Sequence, residues 1–249
     1  MTQLTWLYGD QGPHFPDPEQ ALDEPNGLLA AGGSLSVTWL LNAYRKGIFP
    51  WYSEGDPILW WSPAPRCVLT SESVILSKRM RRWLRQQEGL KITLDEHFSE
   101  VIDRCAHTPR GGESGTWILP EMLMAYQDLF AAGYATAIAV WQGQTLIGGF
   151  YGVSMGQMLF GESMFSAQPN GSKVALAAAQ WMVQQGVWQF IDAQVVSPHL
   201  LRLGALELPR NVFMLKMYQA IASPVIDRRT RFNSEACIKA MSRTRSPLP

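Results

Sequence analysis

Long apolar runs are missing from this 249-residue chain: none approaches the about 18 residues that span a bilayer. The N-terminus has no basic stretch leading into an apolar one, so no secretion leader is expected and the chain is assigned to the cytoplasm. Cysteine is scarce. Cys67, Cys105 and Cys237 are odd in number and lack metal spacing, which argues against a disulfide framework and fits a reducing compartment. His14, His97, His107 and His199 are scattered with no paired ligand spacing, so no metal is expected. There is no Gly-x-Ser-x-Gly turn, no Walker loop and no dinucleotide fingerprint. No glycine-rich pyrophosphate loop of the acetyl-CoA type stands out either, Arg110-Gly111-Gly112 being a poor match. The expected cofactor set is therefore empty. Internal repeats and low-complexity blocks are also absent.

Net charge is zero, with 21 Lys and Arg against 21 Asp and Glu, yet the charges are unevenly spread. Asp10, Asp17, Glu19, Asp23 and Glu24 form an acidic stretch. Lys78, Arg79, Arg81, Arg82 and Arg85 form a compact basic one, and Arg228, Arg229, Arg231, Lys239, Arg243 and Arg245 make the end of the chain basic. A charge run is commonly just a solvated helix face. Trp83 inside the first basic run tips it toward phosphate or nucleic-acid contact, since a neutral protein with concentrated cations still holds a polyanion.

The organisation reads as α+β. Residues 1–62 are rich in Pro and Gly around one helix at 36–46, stopped by Gly47, and form a small N-terminal domain with an aromatic loop. Residues 63–222 read as a larger, regular α/β domain: a strand at 66–74, the basic helix at 77–86, and a helix opened by a capping box at Thr93-Leu94-Asp95-Glu96 and running to 106. A glycine-rich loop at 107–116 and a helix from Pro120 to Gly133 follow. Residues 134–141, 145–153 and 157–165 read as an antiparallel meander turning at Gly143 and Gly156. A helix at 172–185, a strand at 187–195 and a helix at 209–222 complete it. Residues 223–249 are a basic tail, open to being disordered.

Chemistry is suggested in two places. Trp51, Tyr52, Trp60 and Trp61 sit in a proline-braced loop that suits either a hydrophobic plug or a stacking platform for a flat ligand, at even odds. On the strands, period-two alternation puts Met158, Phe160, Glu162 and Met164 on one face, and Trp188, Phe190, Asp192 and Gln194 on another. Carboxylates and an amide on apolar faces need partners or a ligand. A pocket for a cation and a structural hydrogen-bond network both satisfy that need.

The motifs Glu24-Pro25-Asn26-Gly27-Leu28-Leu29-Ala30, Gly47-Ile48-Phe49-Pro50-Trp51, Trp60-Trp61-Ser62-Pro63, Gly115-Thr116-Trp117-Ile118, Gly161-Glu162-Ser163-Met164-Phe165-Ser166 and Ile191-Asp192-Ala193-Gln194-Val195 occur in order from about residue 15 to 210. Together they resemble the leucyl/phenylalanyl-tRNA–protein transferases. The resemblance implies an N-acyltransferase domain of the acetyltransferase-superfamily type, a mixed sheet with flanking helices. It implies transfer of leucine, phenylalanine or methionine from aminoacyl-tRNA to proteins with N-terminal Arg or Lys, which marks them for N-degron proteolysis, without metal or membrane. It further implies that Trp51 and Trp117 sandwich the terminal adenine, and that Phe150, Met164, Phe165 and Leu176 line the aminoacyl pocket. Glu162, Asp192 and Gln194 are the catalytic set it implies. Glu162 and Asp192 are expected to hold the cationic acceptor, with Gln194 aligning its amine and the ester carbonyl; an amide alone is a poor base. Lys78, Arg79, Arg81, Arg82 and Arg85 are the expected tRNA-binding residues.

Several positions depart from the family pattern: Ser34, Ala64, Ala193, Ala167 and Arg202. Ala193 stands where cysteine is common, which argues against cysteine catalysis. The alternatives are an acyl-CoA-dependent N-acyltransferase and a non-catalytic RNA-binding module.

Overall fold

A computed structural model describes residues 4–74, 76–108 and 118–243. The larger of two sheets has seven strands. In chain order they are β5 (Arg66–Leu69), β6 (Leu90–Leu94), β7 (Ala135–Gln142), β8 (Thr145–Met155), β9 (Met158–Ser166), β10 (Phe190–Gln194) and β11 (Leu206–Leu208), in the spatial order β11-β5-β10-β9-β8-β7-β6. The meander β7-β8-β9 forms as its turn chemistry requires: Gly143 and Gly156 take φ of 60° and 57° in two-residue connections. β10 joins β9 in parallel and β5 antiparallel, so the sheet is mixed.

Alternation sorts the side chains between two cores. On β7, Ala135, Ala137 and Ala139 face one, and Ile138 and Val140 the other. Helices α3 (Phe98–His107), α4 (Pro120–Ala131) and α7 (Arg210–Ala222) cover the first face. Helices α2 (Lys78–Arg85) and α5 (Gly171–Gln184) cover the second. The short helix α6 (Pro198–Arg202) lies between β10 and β11. Among the described residues no helix is long and apolar enough to cross a membrane.

The second sheet holds β1 (Thr5–Leu7), β2 (Leu28–Gly32), β3 (Phe49–Pro50) and β4 (Leu59–Trp61), in the order β1-β2-β4-β3, with α1 (Val37–Arg45) beside it. Its centre is aromatic. Phe15 packs edge-on against Trp60 at 4.7 Å and Trp39 at 5.5 Å, and this cluster is continuous with the first core of the large sheet.

Four local expectations are corrected. The strand expected at 66–74 stops at Leu69, and Val74 takes a left-handed φ of 52°. The capping box at Thr93–Glu96 does not form: Thr93 and Leu94 are paired in β6, and α3 begins after His97. Asp95 instead accepts from Thr136 and the Ala137 N–H and pairs with Arg228. Trp188 faces the second core and donates to Ser154 Oγ, so it does not share the face of Phe190. The basic tail is folded through Ser242, as α8 (Arg228–Arg231) and α9 (Ser234–Ser242). Arg228 closes on Asp95 at 2.6 Å, Ser234 Oγ takes the edge N–H of Ile92, and Cys237 and Met241 are buried. The end of the chain thus covers the β6 edge, which would otherwise present unpaired backbone groups.

Candidate active site

The parallel pairing of β9 and β10 ends at Asp192 opposite Phe160. Each strand then carries an extra residue relative to its other neighbour. On β9, Tyr151 pairs with Ser163 and Gly152 with Gly161, which leaves Glu162 as the bulged residue. On β10, Val68 pairs with Asp192 and Cys67 with Gln194, which leaves Ala193 out. Gln194 adopts a left-handed φ of 62°. Two bulges side by side re-aim the side chains that follow them. The result is a contact that simple alternation does not describe: Gln194 Nε2 donates to Glu162 Oε1 at 2.9 Å.

Glu162 Oε2 accepts from Tyr126 Oη at 2.8 Å, and Tyr126 meets Tyr44 Oη at 2.7 Å. Burial pushes the Glu162 carboxyl up to about 7, against the lowering effect of the tyrosine hydroxyls and the Gln194 amide; the nearby Asp192 charge raises it further. A carboxylate poised near neutrality beside an amide of fixed orientation can accept a proton and hold a polar substrate group at once.

Asp192 occupies a different position from the one expected of an acceptor-binding residue. Its side chain is fully buried, and Arg66 grips it as a fork, Nε to Oδ1 at 2.9 Å and Nη2 to Oδ2 at 2.7 Å. Oδ1 also accepts the Gln194 backbone N–H at 2.9 Å. With both oxygens engaged inside the fold, Asp192 does not present its carboxylate to a ligand. Arg66 was not singled out in the sequence. Cys67 lies next to it on β5; burial, reinforced by Asp192 and Glu207, pushes its thiol up to about 11 and keeps it neutral.

A cavity of about 120 Å³ opens beside Glu162, with Phe150, Met164, Leu176, Ile191 and Leu200 among its walls. Three of the four residues expected in an aminoacyl pocket are therefore brought together. Phe165 is not: it is buried in the first core, because neighbours on a strand point to opposite faces. The Glu162 bulge likewise separates Met164, which packs toward the second core, from Phe160, which belongs to the first.

The sequence model of the leucyl/phenylalanyl-tRNA protein transferase family matches residues 68–218, and that of the family's N-terminal domain matches residues 33–64. The chain belongs to this family. Among curated members, the enzyme of that name from Xanthomonas axonopodis pv. citri (strain 306) is 50% identical over 220 residues, covering 88% of each chain. That from Xanthomonas euvesicatoria pv. vesicatoria (strain 85-10) is 53% identical over 208 residues, 84% of this chain and 83% of the relative. A solved structure of AAC(6')-Iy in complex with the bisubstrate analogue CoA-S-monomethyl-acetylneamine covers 57% of this chain and is covered to 95%. Its identity is 16% and its TM-score 0.31, a distant likeness that says nothing about chemistry here.

Other residues that the transferase resemblance points to divide by environment. Trp60 is fully buried and donates to the Gly32 carbonyl, whereas Trp51 is 44% exposed. Trp60 is thus the plug, and Trp51 is the one of the two whose ring is open to solvent. Trp61 supports Trp51, donating to its carbonyl at 2.5 Å with the rings 5.5 Å apart. Trp117, the expected second stacking partner, and the Arg110-Gly111-Gly112 loop lie outside the described residues. On α2, Lys78, Arg79, Arg82 and Arg85 are exposed, while Arg81 is half-buried and donates to the Leu76 carbonyl. Arg85 also reaches the Ser242 carbonyl at 2.6 Å. A groove of about 440 Å³ beside α2 carries Arg79, Trp83 and Lys173. Lys173 went unnoticed in the sequence because it is a lone cation at the start of an otherwise apolar helix.

Proposed function

We propose that this chain transfers leucine or phenylalanine, and also methionine, from aminoacyl-tRNA to the N-terminal Arg or Lys of acceptor proteins. It forms a peptide bond in the cytoplasm and marks the acceptor for N-degron proteolysis. The observation that carries this is the contact between Glu162 and Gln194, with Glu162 also among the residues that line an apolar cavity. The cavity, walled by Phe150, Met164 and Leu176, accepts an unbranched-at-β apolar side chain, and a methionine wall adapts to leucine, phenylalanine or methionine. The terminal adenine stacks on exposed Trp51, with Trp117 as its partner, and the α2 cations take the tRNA backbone.

The donor is an activated ester, so positioning and charge stabilisation do most of the work. The Gln194 amide nitrogen points to Glu162, which turns its carbonyl oxygen toward an incoming amine. Glu162 attracts the acceptor ammonium and takes its proton. The amine nitrogen then bonds to the ester carbonyl carbon, the bond to the ribose oxygen breaks, and a proton returns to that oxygen. The step needs no cofactor. Asp192 acts behind this pair by fixing Gln194.

The test is transfer from charged tRNA to an Arg-starting peptide. Formation of a leucyl- or phenylalanyl-peptide that depends on Glu162 is expected, with no transfer from acetyl-CoA. Acetyl transfer from CoA with no transfer from tRNA would replace this function with the acyl-CoA one.

A further inference from the structure

Arg66 enters the large sheet at the first position of β5, and its charge is wholly enclosed. The guanidinium carbon lies 4.9 Å from the Phe49 ring centroid and 4.7 Å from that of Phe213. Phe49 belongs to the small sheet and Phe213 to α7, so two separate elements clamp the cation from its sides. The third nitrogen, Nη1, is buried and has no hydrogen-bond partner among the described residues. An ion pair optimised for stability would satisfy all its donors. Even a satisfied buried pair contributes little net stability compared with apolar residues of the same volume. The arrangement therefore calls for a reason other than stability.

The connections of Asp192 supply one. Gripped by Arg66 through both oxygens, Asp192 accepts the Gln194 N–H through the same Oδ1 that receives Arg66 Nε. That bond braces Gln194 in a left-handed conformation that a side chain with a Cβ takes at some expense. From that conformation the Gln194 amide reaches Glu162. We infer that Arg66 is a positioning residue for aminoacyl transfer: through Asp192 it locks the Gln194 backbone and so aims the Gln194 amide at Glu162 and the reacting amine. The inference rests on the transferase function proposed above.

The experiment compares Arg66→Met, Arg66→Lys, Asp192→Asn and the double variant Arg66→Met/Asp192→Asn with the parent. Three readouts are taken: cooperative unfolding, steady-state transfer to an Arg-starting peptide, and backbone hydrogen exchange at Gln194. In Arg66→Met, kcat falls at least about 100-fold, as when one aimed donor is lost, while KM for the charged tRNA stays within about threefold. Arg66→Lys keeps the charge without the fork and recovers part of the loss. The double variant is no slower than the worse single one, because both changes cut one chain of contacts. Exchange at the Gln194 N–H speeds at least about tenfold while the amides of β8 keep their protection.

Parental kcat in a folded Arg66→Met protein overturns the inference. So do multiplying losses in the double variant, or unchanged Gln194 exchange. Failure of both Arg66 variants to unfold cooperatively makes Arg66 a folding residue and also overturns it. Hydrogen exchange needs no turnover, so a parent that transfers nothing defeats the proposed function and leaves the Gln194 readout to judge Arg66 by itself.

Discussion

In the proposed mechanism Glu162 is the base, and its protonation gives it a pH signature. The ionised form is the base, so kcat is expected to rise about tenfold between pH 6 and 8 for one group titrating near 7. The Tyr126 hydroxyl lowers that value by bonding the carboxylate, so Tyr126→Phe shifts the profile to higher pH; an unshifted profile counts against Glu162 as base. Stability changes in the opposite sense. The folded value near 7 stands above the ordinary 4.5, so this group's contribution is whole below 4.5 and declines as pH rises through 7. Denaturant melts of Glu162→Gln lack that decline. The two tryptophans divide in the same residue-by-residue way. Trp51→Ala is expected to weaken donor binding by about 1–3 kcal/mol with little change in melting, since the ring is exposed. Trp60→Ala instead destabilises the fold by about 3–5 kcal/mol, from a fully buried site. Equal behaviour of the two in binding and melting would remove the distinction.

At the scale of elements, α2 is the place to test tRNA docking. Arg81 serves the protein itself through Leu76, so the informative reversal is Lys78, Arg79 and Arg82 together to Glu. Losing three phosphate contacts should flatten the slope of log affinity against log salt by about 2–3, read by binding titrations across salt concentrations. Transfer from a minimal aminoacyl-adenosine should survive. An unchanged slope makes α2 a solvated face. Elements with strong local signals were legible in the sequence: the meander through its glycine turns, α5 through its period, α4 through Pro120. The polar residues on apolar strands, Glu162, Asp192 and Gln194, were legible as a group. What each faces was not, because a bulge is set by the partner strand and alternation assumes there is none. Phe165 was placed in the pocket by the resemblance alone, against the alternation that sends it to the face opposite Met164, and Asp95 was misplaced by a capping pattern that a buried ion pair overrode. Arg66 carried a signal that passed unused. A lone cation beside Cys67, Val68 and Leu69 on a buried strand demands a carboxylate, and Asp192 was the candidate of matching character.

At the scale of the whole molecule, α8 and α9 act as a strap over the β6 edge. Arg228→Met leaves Asp95 buried with the hydrogen bonds from Thr136 and Ala137 and, for an ion pair among the described residues, the longer 3.6 Å contact to Arg229. It should lower stability by up to about 3 kcal/mol in denaturant titrations, with kcat nearly parental because Asp95 is not part of the Glu162 network. A large loss of kcat without loss of stability would tie the strap to the site.

The Arg66–Asp192 pair joins positions 126 apart in sequence. Until β10 is synthesised, Arg66 has no counter-charge and β5 no central partner. The meander and its helices can form on nearby contacts, but closing so long a loop is among the slower events of folding. The reacting centre therefore comes into being late, as the product of a long-range closure. During refolding, helical content should return before transfer activity does. A partly folded chain would then carry its helices and meander while still lacking the Gln194–Glu162 geometry.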